Sequence, residues 1–562
     1  MLTFMHTYTP ESWAGVLRNG LWRDGDGLKM MHKPFVPAGA DFNTAARGGS
    51  PLEKTLRELR CPFYVDRLQG GMGLDRLYPF DKGLLAYYQQ LLGDGFWGFQ
   101  MHEWSSNYRS DAERILAMYR TEGDPNPSET RKKELWRDVK AGRIKLFLEA
   151  MTAEEWENKP LPTDRAAFLD DIESLYAARS RLTDGLLIPA DSYHMAPRIE
   201  LDNGAKLLLP EIGWQIPHLR IQMAYTRGMA RARGVRWGVY YECWCHNTAV
   251  NALTIPFSLR DGQDEWFEDQ LTKGNGAAFS AEEREQGGTS RNLQERAWRF
   301  AYLSGATVMG EEYGVSTTFR DYRDFDLSPY GRVKKEFLRF CERFDNAGEP
   351  FTPFAVVLPK ELPVLHVDLP ENYLGYPAAD GSGEVSGERW REVCRTLKTI
   401  FGERGKAGNN GHVLTSGGLP DVFDIIHEDE ENALRRYDYF IDLTGKTRFA
   451  EKHPVVTAEE ADRLLTDLLP FRLPGRVQTL YRRTPNGWLV FAANNDGVLC
   501  DCFRGDVFLP EADVTAAVEP RGGKGSVCVL DGTGRLFTDG GRDYLTLRAG
   551  EWVLLHAPDE TV

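Results

Sequence analysis

The sequence has no run of 18 or more apolar residues, which is the length that a membrane-spanning helix needs. Residues 1–10 lack the basic start and the apolar core of a signal peptide. These two absences predict a cytoplasmic protein with no membrane partner. A secreted protein whose signal peptide had been removed would show the same pattern, so secretion stays open as an alternative.

Cysteine is scarce and scattered. The 562 residues contain 8 cysteines, with two Cys-x-Cys pairs, Cys243/Cys245 and Cys500/Cys502, and no Cys-x-x-Cys. This spacing is typical neither of a disulfide framework nor of a structural zinc site. We therefore expect reduced thiols, and we expect Cys243 and Cys245 to pack rather than to react.

The chain has fewer basic residues than acidic ones. Asp and Glu number 83 against 68 Lys and Arg, which gives a net charge of −15 and a pI near 5.4. Because such a surface repels phosphates, no nucleic-acid partner is expected. The chain also lacks a Gly-x-Ser-x-Gly motif, so a serine nucleophile of that type is not predicted.

The composition that is present is globular and rich in aromatic residues. Apolar residues make up 42% and charged residues 27% of the chain. Its length exceeds what one hydrophobic core organises, so two to four domains are expected. Aromatics reach 12%, a share that suits large aromatic cores and flat, hydroxyl-rich ligands equally well.

Four short apolar stretches each end at a glutamate with an aromatic residue close by. They are Trp97-Gly-Phe-Gln-Met-His-Glu103-Trp104, Leu207-Leu-Leu-Pro-Glu211-Ile-Gly-Trp214, Trp237-Gly-Val-Tyr-Tyr-Glu242-Cys-Trp244 and Thr307-Val-Met-Gly-Glu311-Glu312-Tyr313. Such stretches are typical of buried parallel strands, and helix-length spacers separate them. The pattern predicts a (β/α)8 TIM barrel whose strand ends converge on an acidic, aromatic pocket.

The barrel is predicted over residues 1–347. Seven candidate strands lie near residues 34–38, 63–68, 97–103, 185–190, 207–211, 236–242 and 306–311, so one strand is missed, either at the start or within 313–328. Amphipathic helices are predicted at 82–92, 217–233, 293–303 and 330–344. The segments 112–183 and 258–290 are interpreted as insertions.

Two further domains are predicted after the barrel. Residues 348–471 alternate strands (354–358, 421–426, 437–443) with helices (387–401, 457–469), which indicates a small flavodoxin-like α/β domain. It has no Gly-x-Gly-x-x-Gly after a strand, so a nucleotide cofactor is not expected there. Residues 472–562 have short alternating strands and Gly-rich turns, which predict a C-terminal β-sandwich.

The glutamates at the strand ends are the candidate catalytic residues: Glu103, Glu211, Glu242, Glu311 and Glu312. Glycosidic bonds break between two carboxyl groups, of which one donates a proton and the other attacks the sugar or activates water. Apolar surroundings and a neighbouring carboxylate can supply the raised pKa that the acid needs. Strand alternation lets only one of Glu311 and Glu312 face the barrel axis. Alternatively, each glutamate caps a helix or pairs with an arginine.

The residues around these glutamates are candidates for substrate binding: His102, Trp104, Asn107, Asp191, Tyr193, His194, Trp214, Tyr241, Trp244, His246 and Tyr313. Asp191 could bind sugar hydroxyls or orient an acid, and Asp66 and Arg67 end an earlier strand in the same way. The favoured alternative for these residues is an Asp–Arg pair at the pocket floor. His102, Asp191, His194 and His246 could ligate zinc or manganese. Because no His-x-His or His-Glu-x-x-His spacing accompanies them, neither a metal nor any other cofactor is predicted.

The order of the parts resembles a known family. The barrel exit Leu327-Ser-Pro-Tyr-Gly331-Arg-Val-Lys-Lys-Glu-Phe-Leu-Arg-Phe340, the junction Gly348-Glu-Pro-Phe-Thr-Pro-Phe-Ala-Val-Val and the segment Asn486-Gly-Trp-Leu-Val-Phe-Ala-Ala-Asn-Asn-Asp-Gly497 are similar to parts of clan A glycoside hydrolases, most closely the family 42 β-galactosidases. The resemblance implies an acid/base glutamate at strand four and a nucleophile at strand seven, matched by Glu311 or Glu312. It also implies a homo-oligomer. The Asn-Glu dipeptide that the clan carries at strand four is absent.

The sequence thus predicts a glycoside hydrolase that cleaves a neutral oligosaccharide or glycoconjugate, with Glu211 and either Glu311 or Glu312 as the working pair and a retaining mechanism favoured. One alternative keeps the barrel but inverts the anomeric centre. The other is a non-catalytic carbohydrate-binding or scaffold protein.

Overall fold

The computed structural model describes residues 1–31, 49–70, 82–102, 104, 165–190, 196–213, 218–242, 290–312, 314, 318–319, 324–363, 387–402, 414, 416–501, 505–521 and 526–559. Within these ranges the chain forms one closed parallel barrel and several further sheets. No helix in these ranges is long and apolar enough to cross a membrane.

The barrel has eight parallel strands. In chain order they are β1 (Thr3–Thr7), β2 (Gly27–Met31), β3 (Phe63–Gly70), β4 (Phe96–His102), β5 (Leu187–Ala190), a sixth strand in two pieces, β6 (Leu207–Leu208) and β7 (Glu211–Gly213), then β8 (Arg236–Glu242) and β9 (Val308–Glu311). From β1 to β5 each strand pairs with the next, both pieces of the sixth strand pair with β8, β8 pairs with β9, and β9 returns to β1. The Leu209 amide donates to the Pro189 carbonyl at 3.1 Å and so joins β5 to the sixth strand. This is the closed order of a (β/α)8 barrel.

Helices lie between the strands and cover the outside of the barrel. They are α1 (Pro10–Arg18), α2 (Pro51–Leu59), α3 (Lys82–Leu92), α4 (Arg165–Leu182), α5 (Pro197–Asp202), α6 (Leu219–Arg233), α7 (Arg291–Leu303) and α8 (Pro329–Arg343). Side-chain oxygens cap several of them: Ser328, for example, accepts from the Gly331 amide at 3.0 Å, with Pro329 in the first turn of α8.

Alternation along the strands separates an inner and an outer face. Buried residues such as Met5, Tyr64, Tyr240 and Val308 form one cluster inside the barrel. Their sequence neighbours on the same strands, among them Phe4, Val239 and Met309, join the larger core between sheet and helices.

Six of the seven predicted barrel strands are present. The missed strand is β1, at the start of the chain, and the second strand is β2 rather than residues 34–38, which lie outside the described part of the structure. Both β1 and β2 are only five residues long and carry the polar residues His6 and Lys29 in their buried middle, which hides the apolar pattern. Part of the predicted insertion 112–183 is helix α4, which follows the fourth strand.

The region after the barrel begins with β10 (Glu349–Pro350) and a three-stranded parallel sheet in the order β12 (Phe423–His427), β11 (Phe354–Leu358), β13 (Tyr439–Asp442). Its helices are α9 (Gly387–Phe401), α10 (Glu431–Leu434), α11 (Thr447–Ala450) and α12 (Ala458–Leu468). Strand β11 and helix α9 have the predicted bounds. The flavodoxin-like fold itself stays a prediction.

The remaining strands are antiparallel. They are β14 (Gln478–Thr484), β15 (Gly487–Ala493), β16 (Val498–Asp501), β17 (Gly505–Phe508), β18 (Val514–Val518), β19 (Cys528–Gly532), β20 (Arg535–Asp539), β21 (Arg542–Leu547) and β22 (Trp552–Pro558). They form a five-stranded sheet (β10-β14-β15-β22-β19), a three-stranded sheet (β18-β21-β20) and the hairpin β16-β17. A β-sandwich stays the prediction for this region.

Helix α6 of the barrel packs against the parallel sheet. A Cβ at Gly228 would lie 2.3 Å from the Ile425 carbonyl oxygen, so only glycine lets helix and strand approach this closely. Earlier in the same helix, Arg227 donates to the Asp424 carboxylate at 2.5 Å and Arg220 donates to that of Asp421 at 2.8 Å. All four of these charged side chains are buried.

A buried histidine lies at the same contact and predicts an acid-sensitive interface. The Nδ1 atom of His427 faces the Pro359 carbonyl at 3.1 Å, so it carries the proton, and Nε2 accepts from the Tyr225 hydroxyl at 2.6 Å. Burial lowers the pKa of His427 to about 3, and the nearby Arg198 acts in the same direction. The folded protein therefore keeps this imidazole neutral.

We expect this histidine to destabilise the fold in acid. Between pH 6.5 and 3 the unfolded chain binds a proton at His427 that the folded chain does not, so stability falls as the pH is lowered through this window. At pH 4.5 the loss is roughly 2–3 kcal/mol. Glutamine at this position can offer the same acceptor and donor, so His427→Gln should lose about that much less between pH 7 and pH 4.5 in urea denaturation. Equal losses in both proteins would contradict the assignment.

Candidate active site

Three glutamates of adjacent strands face the barrel interior at its carboxyl end. Glu211 precedes Ile212, which belongs to the outer core, and Glu242 follows Tyr241, whose ring packs outside the barrel. Glu312 continues the β9 ladder, since its amide donates to the Tyr241 carbonyl at 2.8 Å. By alternation all three side chains therefore face inward. The exposed fractions are 1% for Glu211, 3% for Glu242 and 2% for Glu312.

The strand register sets the heights of these residues. Glu211 is paired with Tyr240, and Glu242 is paired with Gly213. Since Tyr241 is paired with Glu311, the residues that follow them, Glu242 and Glu312, are neighbours at the same height. Glu211, which is paired with Tyr240, lies two residues lower, one layer of inward side chains below. A Cβ at Gly213 would lie 2.7 Å from the Glu242 Cβ, so glycine there leaves room for the carboxylate.

Glu311 points away from this group. Its Oε2 atom accepts from Lys334 Nζ at 2.6 Å, and Lys334 comes from helix α8 outside the sheet. Both side chains are buried. Of the pair Glu311 and Glu312, Glu312 is thus the inward residue, and the Glu311 carboxylate is held in a buried ion pair with Lys334.

A polar cluster forms the floor of the barrel below the glutamates. The Lys29 ammonium lies 2.5 Å from Asp66 Oδ2, and the Tyr240 hydroxyl donates to the same oxygen at 2.9 Å. Lys29 and Asp66 have no exposed side-chain surface. The described partners of Asp66 are therefore Lys29 and Tyr240, while the side chain of Arg67, its predicted partner, lies outside the described part of the structure.

Two aromatic residues predicted to bind substrate lie outside the barrel interior. Trp104 is buried against Tyr176, with ring centroids 5.0 Å apart, and its indole N–H donates to Glu200 at 3.0 Å. Tyr241 packs edge-on against Trp298 of helix α7, with ring centroids 5.5 Å apart. Helix packing turns the Trp104 ring toward the core, and strand alternation does the same for Tyr241.

Several predicted site residues lie outside the described part of the structure: Glu103, Asn107, Asp191, Tyr193, His194, Trp214, Trp244, His246 and Tyr313. His102 is the last residue of β4, and Glu103 follows it directly in the sequence. Among the residues that the structure does describe, no three His, Cys, Asp or Glu side chains form a group that could hold a metal ion.

The floor residues Lys29 and Tyr240 and the buried residues Tyr64 and Gln100 nearby on β3 and β4 were not predicted from the sequence. A signal was present: Lys29 and Gln100 are polar residues inside short apolar stretches, Gly27-Leu-Lys-Met-Met and Phe99-Gln-Met. A buried strand holds such residues only where partners satisfy them. Spacing alone did not reveal what those partners are.

Comparisons with known proteins give no family. No family model and no curated protein matches the chain. Among solved structures, a GH42 β-galactosidase from G. stearothermophilus is 8% identical over 99% of this chain and 98% of that chain, with a TM-score of 0.45. One from Rahnella sp. R3 is 10% identical over 99% and 98%, with a TM-score of 0.44. An α-amylase from H. orenii is 10% identical over 99% of both chains, with a TM-score of 0.35. Since every one of these TM-scores is below 0.5, the barrel is established from the strand pairing of this chain, and the activities are statements about those proteins.

Proposed function

We propose that the chain is a retaining glycoside hydrolase in which Glu242 is the nucleophile and Glu103 the acid/base. One observation carries the proposal: Glu242 ends the seventh strand of a closed barrel, buried, facing inward and flanked by Glu211 and Glu312. Buried carboxyl groups gathered at the carboxyl end of a parallel barrel are well suited to glycoside cleavage.

The strand count supports this pair rather than the one predicted from sequence. With β1 as the first strand, β4 is the fourth and is followed directly by Glu103, β8 is the seventh and ends at Glu242, and Glu311 belongs to the eighth. The clan A resemblance expects its acid/base at strand four and its nucleophile at strand seven. Glu211 and Glu312 then bind sugar hydroxyl groups.

In the proposed reaction Glu242 attacks the anomeric carbon while Glu103 donates its proton to the departing glycosidic oxygen. The glycosyl ester on Glu242 is then hydrolysed: Glu103 takes a proton from water, the resulting hydroxide adds to the anomeric carbon, and the Glu242 carboxylate leaves. Two displacements at one carbon retain its configuration.

A neutral saccharide is the proposed substrate. The described pocket residues contribute three carboxyl groups from Glu211, Glu242 and Glu312, while the ammonium of Lys29 is already paired with Asp66. An acidic sugar would therefore meet like charge without a free cation among these residues.

The proposal is tested with a panel of neutral aryl and alkyl glycosides, with the anomeric product followed by NMR. We expect turnover of at least one sugar, with retained configuration. Glu103→Gln should lower kcat/KM on alkyl glycosides by about 10²–10⁴-fold. It should have far less effect on dinitrophenyl glycosides, whose leaving group needs no proton. An inverted product would instead favour the inverting mechanism, and absence of turnover across the panel would favour the non-catalytic carbohydrate-binding protein.

The wider assignments are proposals as well. They comprise the boundaries 1–347, 348–471 and 472–562, the flavodoxin-like and β-sandwich folds, the cytoplasmic location and the homo-oligomer. The antiparallel pairing of β14, β15 and β22 supports the third domain.

A further inference from the structure

Three polar groups inside the barrel floor have no hydrogen-bond partner among the residues that the structure describes. They are the Tyr64 hydroxyl, the Oδ1 oxygen of Asp66 and the side-chain amide of Gln100. All three residues are completely buried. Unsatisfied buried polar groups are rare in native proteins, and several in one place indicate that the protein binds a polar group there.

These groups lie close together. Asp66 Oδ2 is 2.9 Å from the Tyr240 hydroxyl, and a Cβ on Gly310 would meet the Tyr64 hydroxyl at 3.0 Å and the Tyr240 ring at 3.4 Å. On the neighbouring strands Val65 is paired with Phe99 and Gln69 with Met101, so Asp66 begins the bulge of β3 that faces Gln100 on β4. Glycine at 310 keeps open the space that a larger residue would fill.

The donors and acceptors in this space select a neutral hydroxyl group. Asp66 Oδ1 accepts, Tyr64 can donate, and Gln100 does both. A hydroxyl group can donate one hydrogen bond, to Asp66 Oδ1, and accept two, from the Tyr64 hydroxyl and the Gln100 amide nitrogen, which leaves the Gln100 amide oxygen for a second donor. A carboxylate would be repelled by Asp66, and an ammonium group would lie beside Lys29, which already neutralises that carboxylate.

The phenol of Tyr64 is held in its donating form. Burial and the nearby Asp66 carboxylate raise the pKa of Tyr64 well above its ordinary value. The hydroxyl therefore keeps its proton at any pH at which the protein works, and it can donate to a bound oxygen.

We propose that Tyr64, Asp66 and Gln100 form a subsite that binds one hydroxyl group of the saccharide, at the level of Glu211 and one layer below Glu242. The subsite rests on the proposed function, since it lies in the same pocket. Asp66 contacts Tyr240, which lies two residues before Glu242 on β8, a distance along the strand of about 6.6 Å. A substituent that points down from the ring held at Glu242 is the group that reaches the subsite.

Monodeoxy sugars test the subsite. We expect removal of one particular hydroxyl from the preferred aryl glycoside to lower kcat/KM of the wild type by about 10–100-fold. In Tyr64→Phe the same deoxygenation should cost less than about threefold, because the lost partner is already absent. The other deoxygenations should cost the same in both proteins.

Tyr176→Phe is the matched control. Tyr176 is also fully buried, and its hydroxyl has no hydrogen-bond partner in the described part of the chain, but it packs on Trp104 outside the barrel interior. In Tyr176→Phe, removal of each sugar hydroxyl should lower kcat/KM by the same factor as in the wild type. Gly310→Ala, which fills the space beside Tyr64, should reproduce the loss of selectivity seen in Tyr64→Phe. If deoxygenation lowers kcat/KM in Tyr64→Phe and in Gly310→Ala by the same factors as in the wild type, the subsite proposal is wrong and only a buried water occupies this space.

Binding separates this inference from the proposed function. Calorimetry with methyl glucoside, galactoside and mannoside and their monodeoxy forms measures the binding contribution of each sugar hydroxyl in wild type and in Tyr64→Phe, without turnover. If the wild type binds one of them but hydrolyses nothing, the catalytic proposal fails, and Tyr64→Phe still decides the subsite. If no methyl glycoside binds and none is hydrolysed, both are wrong.

Discussion

Replacing Glu242 by glutamine is expected to lower kcat/KM by on the order of 10⁴-fold, the scale on which loss of one member of a catalytic set is felt. Glutamine keeps the size of the side chain but cannot form the glycosyl ester. Folding should be unimpaired, because the substitution removes one of three carboxyl groups at adjacent strand ends. Relief of like-charge repulsion in a buried pocket leaves the melting temperature unchanged or raised.

Glu311→Gln is the matched control and should behave in the opposite way. Glu311 is equally buried, lies on the neighbouring strand and differs in facing outward to Lys334. Removing its charge leaves the Lys334 ammonium buried without a counter-ion, which costs about 3 kcal/mol of stability. Below the melting temperature its kcat/KM should stay within tenfold of wild type.

Activity and thermal unfolding are measured on both variants. Glu242→Gln should lose activity but not stability, and Glu311→Gln should lose stability but not activity, which a general folding defect cannot produce. If Glu242→Gln retains activity while Glu211→Gln or Glu312→Gln loses it, the nucleophile is one of those neighbours. If Glu311→Gln alone is inactive while still folded, the outward orientation of Glu311 is wrong.

The parts of the fold that could be predicted from sequence are those in which local pattern and final burial coincide. Strand β11, Phe-Ala-Val-Val-Leu, is an unbroken apolar run buried along its whole length, and helix α9 is amphipathic throughout. Both have the predicted bounds. In contrast, β1 and β2 hold buried polar residues whose partners come from elsewhere in the fold, such as Asp26 for His6 and Asp66 for Lys29.

The missed first strand had a consequence for the site. Without a fixed first strand, Glu311 could be counted on the seventh strand, whereas the closed barrel assigns that position to β8 and Glu242. The glutamates were recognisable because each ends a buried run. Their order around the barrel depends on pairing between distant segments, which local spacing does not encode.

The orientation of individual side chains was predictable only in part. Trp104 and Tyr241 are aromatic neighbours of glutamates in the sequence, yet consecutive residues on a strand point to opposite faces. A residue directly beside an inward glutamate therefore faces outward, as Tyr241 does against Trp298. The same rule distinguishes Glu312 from Glu311.

Asp424→Asn is expected to give the largest loss of stability among single substitutions at the contact between the barrel and the parallel sheet. The carboxylate of Asp424 is fully buried and accepts from Arg227 at 2.5 Å, Arg231 at 2.9 Å and the Tyr437 hydroxyl at 2.9 Å. Burial alone would raise the pKa of Asp424, but the two guanidinium groups outweigh it and hold the pKa below its ordinary value. Asparagine leaves both cations with no buried counter-charge, which costs about 3–5 kcal/mol.

Urea denaturation at pH 7 measures this loss, with Glu336→Gln as its control. Glu336 also pairs with an arginine, Arg339 at 2.6 Å, but both are exposed, so its removal should cost less than about 1 kcal/mol. Because the folded pKa of Asp424 is depressed, its contribution is present above the unfolded pKa near 3.9 and is lost as the pH falls through the folded value. The difference between wild type and Asp424→Asn should therefore shrink in acid. Since Asp424 anchors helix α6, which joins the strands of Glu211 and Glu242, a variant that loses stability but keeps kcat/KM within tenfold would indicate that this interface stabilises the barrel without positioning its glutamates.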